Sequence, residues 1–199
     1  MRVLVCTVLF FPNVSMPASA DCIGDIVDAI SRRVTGGPYQ SITTVPTADL
    51  QFETVSTFVP PKAYAGVSSI GDTRTEVVVI GDEARMRNTN AFTGAAPAWM
   101  KLPPGAATPL RSGAEGRVAP EELRGAHCPG ERRKEGAPYQ FYSYSYSRQA
   151  RSFNVELLVD PVTGLPVEER ISAAGDGSAN TAVTLYRYDD TVTVDRPAD

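Results

Sequence analysis

The chain has 199 residues, of which 42% are hydrophobic and 21% charged, so it can bury a core and is not disordered by composition. Its 19 basic and 23 acidic side chains give a formal net charge of −4, which disfavours nucleic-acid binding because such proteins normally carry a basic excess. A single histidine and three cysteines leave few residues for metal or catalytic-triad chemistry.

The first twenty residues have the pattern of a secretory signal peptide. Arg2 precedes an apolar run from Val3 to Phe11, and the small residues of Ala18-Ser19-Ala20 predict cleavage after Ala20. This run is far shorter than the ~20 residues needed to span a bilayer, and no later segment is long enough. The alternative is a buried N-terminal strand. Residues 21–199 are therefore expected to form a single domain of a periplasmic or secreted protein.

Cleavage would leave two cysteines, Cys22 and Cys128. In an oxidising compartment such a pair favours a disulfide, which would join the first helix to a distant loop. The alternative is two free, buried thiols.

The segment Asp21–Val34 is predicted to be an amphipathic helix, since its apolar residues recur at helical spacing on one face. Gly36-Gly37-Pro38 ends it. Thr-, Val- and aromatic-rich segments separated by short turns then predict an antiparallel meander, with strands over 39–45, 50–59, 63–69, 73–80 and 84–88.

Residues 94–138 break this pattern, with seven of the 16 prolines and seven of the 16 glycines. A loop of this length is usually functional or disordered, so we expect a lid-like insertion crossing the sheet, with a disordered excursion as the alternative. Strands return at Tyr139, where Tyr142, Tyr144 and Tyr146 share one face. A hairpin turn is predicted at Asp160–Gly164, and further strands at 153–159, 165–172, 181–188 and 191–194.

The residues offer little for catalysis. The only histidine, His127, adjoins Cys128, whose expected disulfide would remove it as a nucleophile. The mature chain has too few Cys and His residues for a structural zinc site. We therefore expect no catalytic residues, no metal, no cofactor and no enzymatic activity. A curved antiparallel sheet with more apolar and aromatic surface than one helix can cover predicts either a ligand cavity or a filled interior.

Four segments resemble a known group in order and composition: Phe58–Tyr64, Val79–Met86, Pro97–Pro103 and Val159–Val167, the last with the hairpin D-P-V-T-G-L-P. The chain resembles the lipoprotein-localisation superfamily, which includes LolA and the LppX-type lipid-binding proteins. The resemblance implies an α+β fold, a half-barrel of curved antiparallel sheet wrapped around helices, and binding of acyl chains or another apolar ligand in the periplasm.

We therefore expect a carrier or sensor that holds a lipid or other apolar ligand between the sheet and its helix and lid. The expected lining residues are Ile26, Ile30, Phe52, Val78, Ile80, Trp99 and Tyr144. The alternative is an envelope protein–protein interaction or regulatory module of the same fold with a filled core. Nucleic acid is not an expected partner.

Overall fold

The computed structural model describes residues 20–46, 51–90, 97–115, 119–148, 150–175 and 181–198. Of the signal peptide predicted over residues 1–20, all but Ala20 lie outside this part of the chain. Among the described residues, no helix has both the length and the apolar character required to cross a membrane.

One large antiparallel sheet dominates the structure. Its eleven strands follow the order β6-β5-β4-β3-β2-β1-β11-β10-β9-β8-β7. The sheet is curved and remains open, and it carries an N-terminal helix, so the predicted α+β half-barrel is confirmed. The first five strands are β1 (Tyr39–Pro46), β2 (Gln51–Val59), β3 (Ala63–Ile70), β4 (Thr73–Ile80) and β5 (Glu83–Asn90). The others are β6 (Met100–Lys101), β7 (Arg124–Lys134), β8 (Ala137–Arg148), β9 (Arg151–Val159), β10 (Pro166–Ala173) and β11 (Ala182–Tyr188).

The segment predicted as a lid-like insertion is largely regular structure. It contains β6, a second helix α2 (Ala107–Glu115), a short 3₁₀ turn at Pro120–Glu122 and the edge strand β7, which pairs with β8. Two register shifts interrupt this pairing. An edge strand tolerates Pro129 and the left-handed Gly125 and Gly130, because its outer backbone groups need no partner strand. The expectation of an irregular lid is therefore wrong for residues 124–134.

The first helix, α1 (Ala20–Thr35), agrees with the prediction to within a residue at each end. Near its amino terminus, Cys22 forms the predicted disulfide with Cys128, with 5.8 Å between the two Cα atoms. This bond is confirmed, although its far end lies on strand β7 rather than in a loop.

The carboxyl end of α1 is held by the β9–β10 hairpin. There Asp160 accepts backbone hydrogen bonds from Val162 and Thr163, which form the predicted turn. Arg32 donates to the Thr163 carbonyl, and its guanidinium lies so close to Gly164 that a Cβ at that position would overlap it. Both ends of α1 are thus fixed to the sheet.

The last described residues do not form the strand predicted at 191–194. They run as a tail without regular structure from Asp189, whose amide donates to the Pro38 carbonyl. The tail reaches β5, where Arg196 pairs with Glu83 at 3.3 Å. Because Arg85 also donates to the Pro197 carbonyl, the tail lies against the face of β5 that carries Glu83 and Arg85.

Candidate functional site

Both helices lie on one face of the sheet, which we call the concave face, and the opposite face is the convex face. Helix α1 completes a buried cluster with β8 and β9, and α2 completes a smaller one in which Ala107 packs with Val79 and Ala84. A third cluster joins the end of α1 to the sheet through Val34, Tyr39 and Phe58. The helices therefore cover two separate areas of the concave face.

Three of the expected lining residues meet beneath α1. Ile26 is fully buried, and Ile30 and Tyr144 are 5% and 4% exposed, within a cluster that also holds Leu157 and Val155. These side chains are covered by one another, so they form a filled core. A ligand could reach them only by displacing α1, which is fixed at both ends.

The structure places three other expected lining residues on the convex face. Val79 is fully buried against α2, so its strand neighbours Val78 and Ile80 point the other way. Trp99 stacks on the guanidinium of Arg87, 4.6 Å from the ring centroid, and Arg87 is hydrogen-bonded to Glu76 on that face.

The prediction that Val78, Ile80 and Trp99 line a site facing the helix is wrong. The run Val77–Ile80 is apolar on both faces, so its sequence does not reveal which residues point inward. Trp99, in the segment before β6, instead packs on the Arg87–Glu76 ion pair of the convex face.

Phe52, the seventh expected residue, lies on the concave face away from the core beneath α1. Cross-strand pairing places it beside Val45 and Ile70. The next residues on the same face of the three strands, Thr43, Thr54 and Ser68, are paired in the same way. We call this group the trough; its members are Thr43, Val45, Phe52, Thr54, Ser68 and Ile70. Five are half-buried, and Ile70 is 48% exposed. Among the described residues, none of the six belongs to the three buried clusters.

The hydroxyl groups around the trough hydrogen-bond to one another. Thr43 pairs with Thr184 of β11 at 2.8 Å between the oxygens, and Thr54 pairs with Ser68 at 2.9 Å. Because each hydroxyl has a partner, an apolar group could cover them without leaving a buried polar atom unsatisfied. Sequence analysis missed five of the six trough residues. Because side chains alternate between the two faces of a strand, Thr54 could have been placed on the same face as Phe52. The other four residues join the trough only through the pairing of β1 and β3 with β2.

A buried polar cluster lies beneath the end of α1. Arg33 is 5% exposed, donates to the Tyr186 hydroxyl at 2.7 Å and lies 3.5 Å from a Glu169 oxygen. Tyr186 in turn donates to Glu169 at 2.8 Å. Burial lowers the pKa of Arg33, but the neighbouring Tyr186 and Glu169 outweigh this and raise it overall. Burial also raises the pKa of Tyr186 well above its usual value, so its hydroxyl stays neutral where it lies between Arg33 and Glu169.

No metal centre is apparent in the described ranges. They hold no group of three or more His, Cys, Asp or Glu residues placed to bind an ion. The histidine, His127, is exposed on the edge strand β7. The candidate site is therefore the trough, an apolar surface whose threonine and serine hydroxyls are hydrogen-bonded to one another.

Comparison with solved structures identifies the architecture. The lipoprotein LppX from Mycobacterium tuberculosis aligns over 88% of this chain and 98% of its own, with a TM-score of 0.56 at 14% identity. LprF from Mycobacterium bovis aligns over 91% and 99%, with a TM-score of 0.57 at 13% identity. The chain has an LppX-like fold.

A similar fold occurs in a Pseudomonas aeruginosa MucA/MucB complex, with a TM-score of 0.50 at 16% identity over 85% of this chain. The aligned region is 56% of that chain, so the match covers part of it. No family model and no curated protein matches the sequence. At these identities the similarity establishes the LppX-like fold alone.

Proposed function

We propose that this chain is an exported, non-enzymatic protein that binds a lipid acyl chain or a similar apolar ligand along the trough, as a carrier or sensor. The observation that carries the proposal is an area of concave face on β1, β2 and β3 whose described residues belong to none of the buried clusters beneath the two helices. The predicted leader and the Cys22–Cys128 disulfide support export to the periplasm or beyond, since such bonds persist in oxidising compartments.

The trough has the dimensions of a single-chain site. Three adjacent strands span ~10 Å, and the paired hydroxyls present their carbon atoms beside Val45, Phe52 and Ile70. Burying an alkyl group is worth ~0.8 kcal/mol per methylene, so six methylenes contribute at most about 5 kcal/mol before ordering costs. This is sufficient for reversible loading and release.

Neighbouring serines on β3 provide a matched test. Ser68 faces the trough and Ser69 faces the convex side, and both are half-buried. Binding of a fluorescent long-chain fatty acid should fall at least about tenfold in Ser68→Asp, because the carboxylate would be desolvated by the chain. Ser69→Asp should bind like the parent. Circular dichroism and thermal melting of both variants establish that they are folded.

Two results would contradict the proposal. One is failure of the parent protein to take up the fatty acid, together with native mass spectra that show no co-purified lipid. The other is equal binding by the two serine variants.

The filled core beneath α1 favours a second candidate, an envelope protein–protein interaction module. Ile26, Ile30 and Tyr144 leave no opening there, and the MucA/MucB complex shows a protein of this fold bound to a protein partner. Under this candidate, the chain binds its partner with unchanged affinity after complete delipidation. A requirement for bound lipid would argue against it.

A further inference from the structure

A row of apolar side chains crosses the convex face on four adjacent strands. Direct cross-strand pairs join Leu185 to Ile42, Ile42 to Val55, and Val55 to Val67. Leu185 is 47% exposed and Ile42 44%, and the two valines are half-buried. We call these four residues the convex row; at the usual strand spacing it is ~14 Å long.

On β8 and β9 the convex face covers its apolar residues. Phe141 and Leu158, on β8 and β9, are 6% and 7% exposed. The Arg132 guanidinium lies over the Phe141 ring, 3.5 Å from its centroid. In the part of the chain that the structure describes, Leu185 and Ile42 of the convex row are instead 47% and 44% exposed. Exposed apolar side chains in a contiguous group are characteristic of interaction sites.

The two ends of the row carry the same chemistry. At one end Leu185 pairs with Glu168, a carboxylate held by Lys134 and by Arg170, the latter at 2.7 Å. At the other end Val67 pairs with Glu76, which accepts from Arg74 at 2.8 Å and Arg87 at 2.7 Å.

At each end of the row, two cations surround one buried carboxylate, which leaves a net charge of about +1. The Glu168 and Glu76 side chains are only 3% and 11% exposed, whereas those of Arg170 and Arg74 are 50% and 55% exposed. An approaching partner therefore meets the cations.

These charges discriminate between occupants. A second copy related by a two-fold axis through the row would place one positive end against the other, which is unfavourable. A partner with acidic groups at both ends and apolar groups between them is complementary. Two further charges flank the row, Arg187 on β11 and Glu53 on β2, and because they are opposite in sign the sum over the row and its two ends stays positive.

We propose that the convex row binds an amphipathic helix of a partner protein, with its apolar stripe on Leu185, Ile42, Val55 and Val67 and its acidic residues at the two cationic ends. The ends lie five strand spacings apart, ~24 Å, which is the length of a helix of about sixteen residues. This surface is on the opposite face from the trough, so it does not depend on lipid binding, and it would give the second candidate function its docking site.

The experiment uses two synthetic helical peptides of about sixteen residues with the same leucine stripe, one with glutamates at both ends and the other with lysines. Fluorescence anisotropy with the full chain should show at least about tenfold tighter binding of the acidic peptide, and this preference should weaken with added salt. The double variant Ile42→Ser/Leu185→Ser should reduce binding of both peptides, whereas Arg74→Ser should weaken only the acidic one.

Val162→Ser serves as the control, because Val162 is 92% exposed at a hairpin tip outside the row. Equal affinity for the two peptides, or binding unaffected by the double variant, would overturn the proposal. So would dimerisation of the parent chain that the double variant abolishes, or stronger binding to phosphatidylglycerol vesicles than to the acidic peptide. Fatty-acid binding by the same variants should equal that of the parent, because the convex row and the trough lie on opposite faces. A failure of the convex-row proposal can therefore be distinguished from a failure of the trough proposal.

Discussion

Removal of the Cys22–Cys128 bond is expected to cause a large loss of stability. The two residues are separated by 106 positions, and a cross-link closing a loop of about 100 residues restricts the unfolded chain by ~4.7 kcal/mol in the chain-entropy model. Cys22 is also 5% exposed within the cluster beneath α1, so its replacement affects packing as well. We expect Cys22→Ala/Cys128→Ala to lower the free energy of unfolding by about 4 kcal/mol or more.

Urea denaturation followed by circular dichroism measures this difference. The parent protein treated with a reducing agent should move toward the double variant, and the reducing agent should have no effect on the variant itself. A difference below about 1 kcal/mol between the oxidised parent and the double variant would refute the reasoning, because the loop length alone requires more.

Two further perturbations test the core and the convex charges. Ile26→Ala, at a fully buried site, should cost about 2–5 kcal/mol in urea denaturation, whereas Ile23→Ala on the same helix, 37% exposed, should cost less than about 1 kcal/mol; equal effects would contradict the described packing. Burial alone would raise the pKa of Glu168, but hydrogen bonds from Lys134 and Arg170 outweigh it and hold that pKa below its usual 4.5. The stability that Glu168 contributes is thus present above its usual pKa of 4.5 and lost as the pH falls through its lowered pKa. The stability gap between the parent and Glu168→Gln should therefore narrow as the pH is lowered below 4.5, and a gap independent of pH would contradict this assignment.

Local patterns predicted the elements whose signals lie within a few residues. The spacing of Ile23, Ile26 and Ile30 indicates α1, and the Asp160–Gly164 turn follows from side-chain hydrogen bonding and a glycine with positive φ. The alternation at Tyr142 and Tyr144 also places both side chains in the buried cluster. These features are independent of distant parts of the chain.

Features that depend on tertiary context were missed. Strand β7 contains Pro129 and two glycines, and a third glycine follows it, so local propensity predicts a loop. Pairing with β8 and the disulfide to Cys22 nevertheless stabilise this segment as an edge strand. The concave or convex orientation of Val78 is decided by where α2 packs, and α2 itself is short and contains Pro109. The trough was missed for the same reason, since its members come together only through the register of three strands.

The two ends of α1 differ in how they respond to the redox state of the surroundings. A thiol reductant would break the attachment at Cys22, while the steric and hydrogen-bonded contacts of Arg32 at the β9–β10 hairpin would persist. The amino-terminal half of α1 would then be held by the packing of Ile26 and Tyr144.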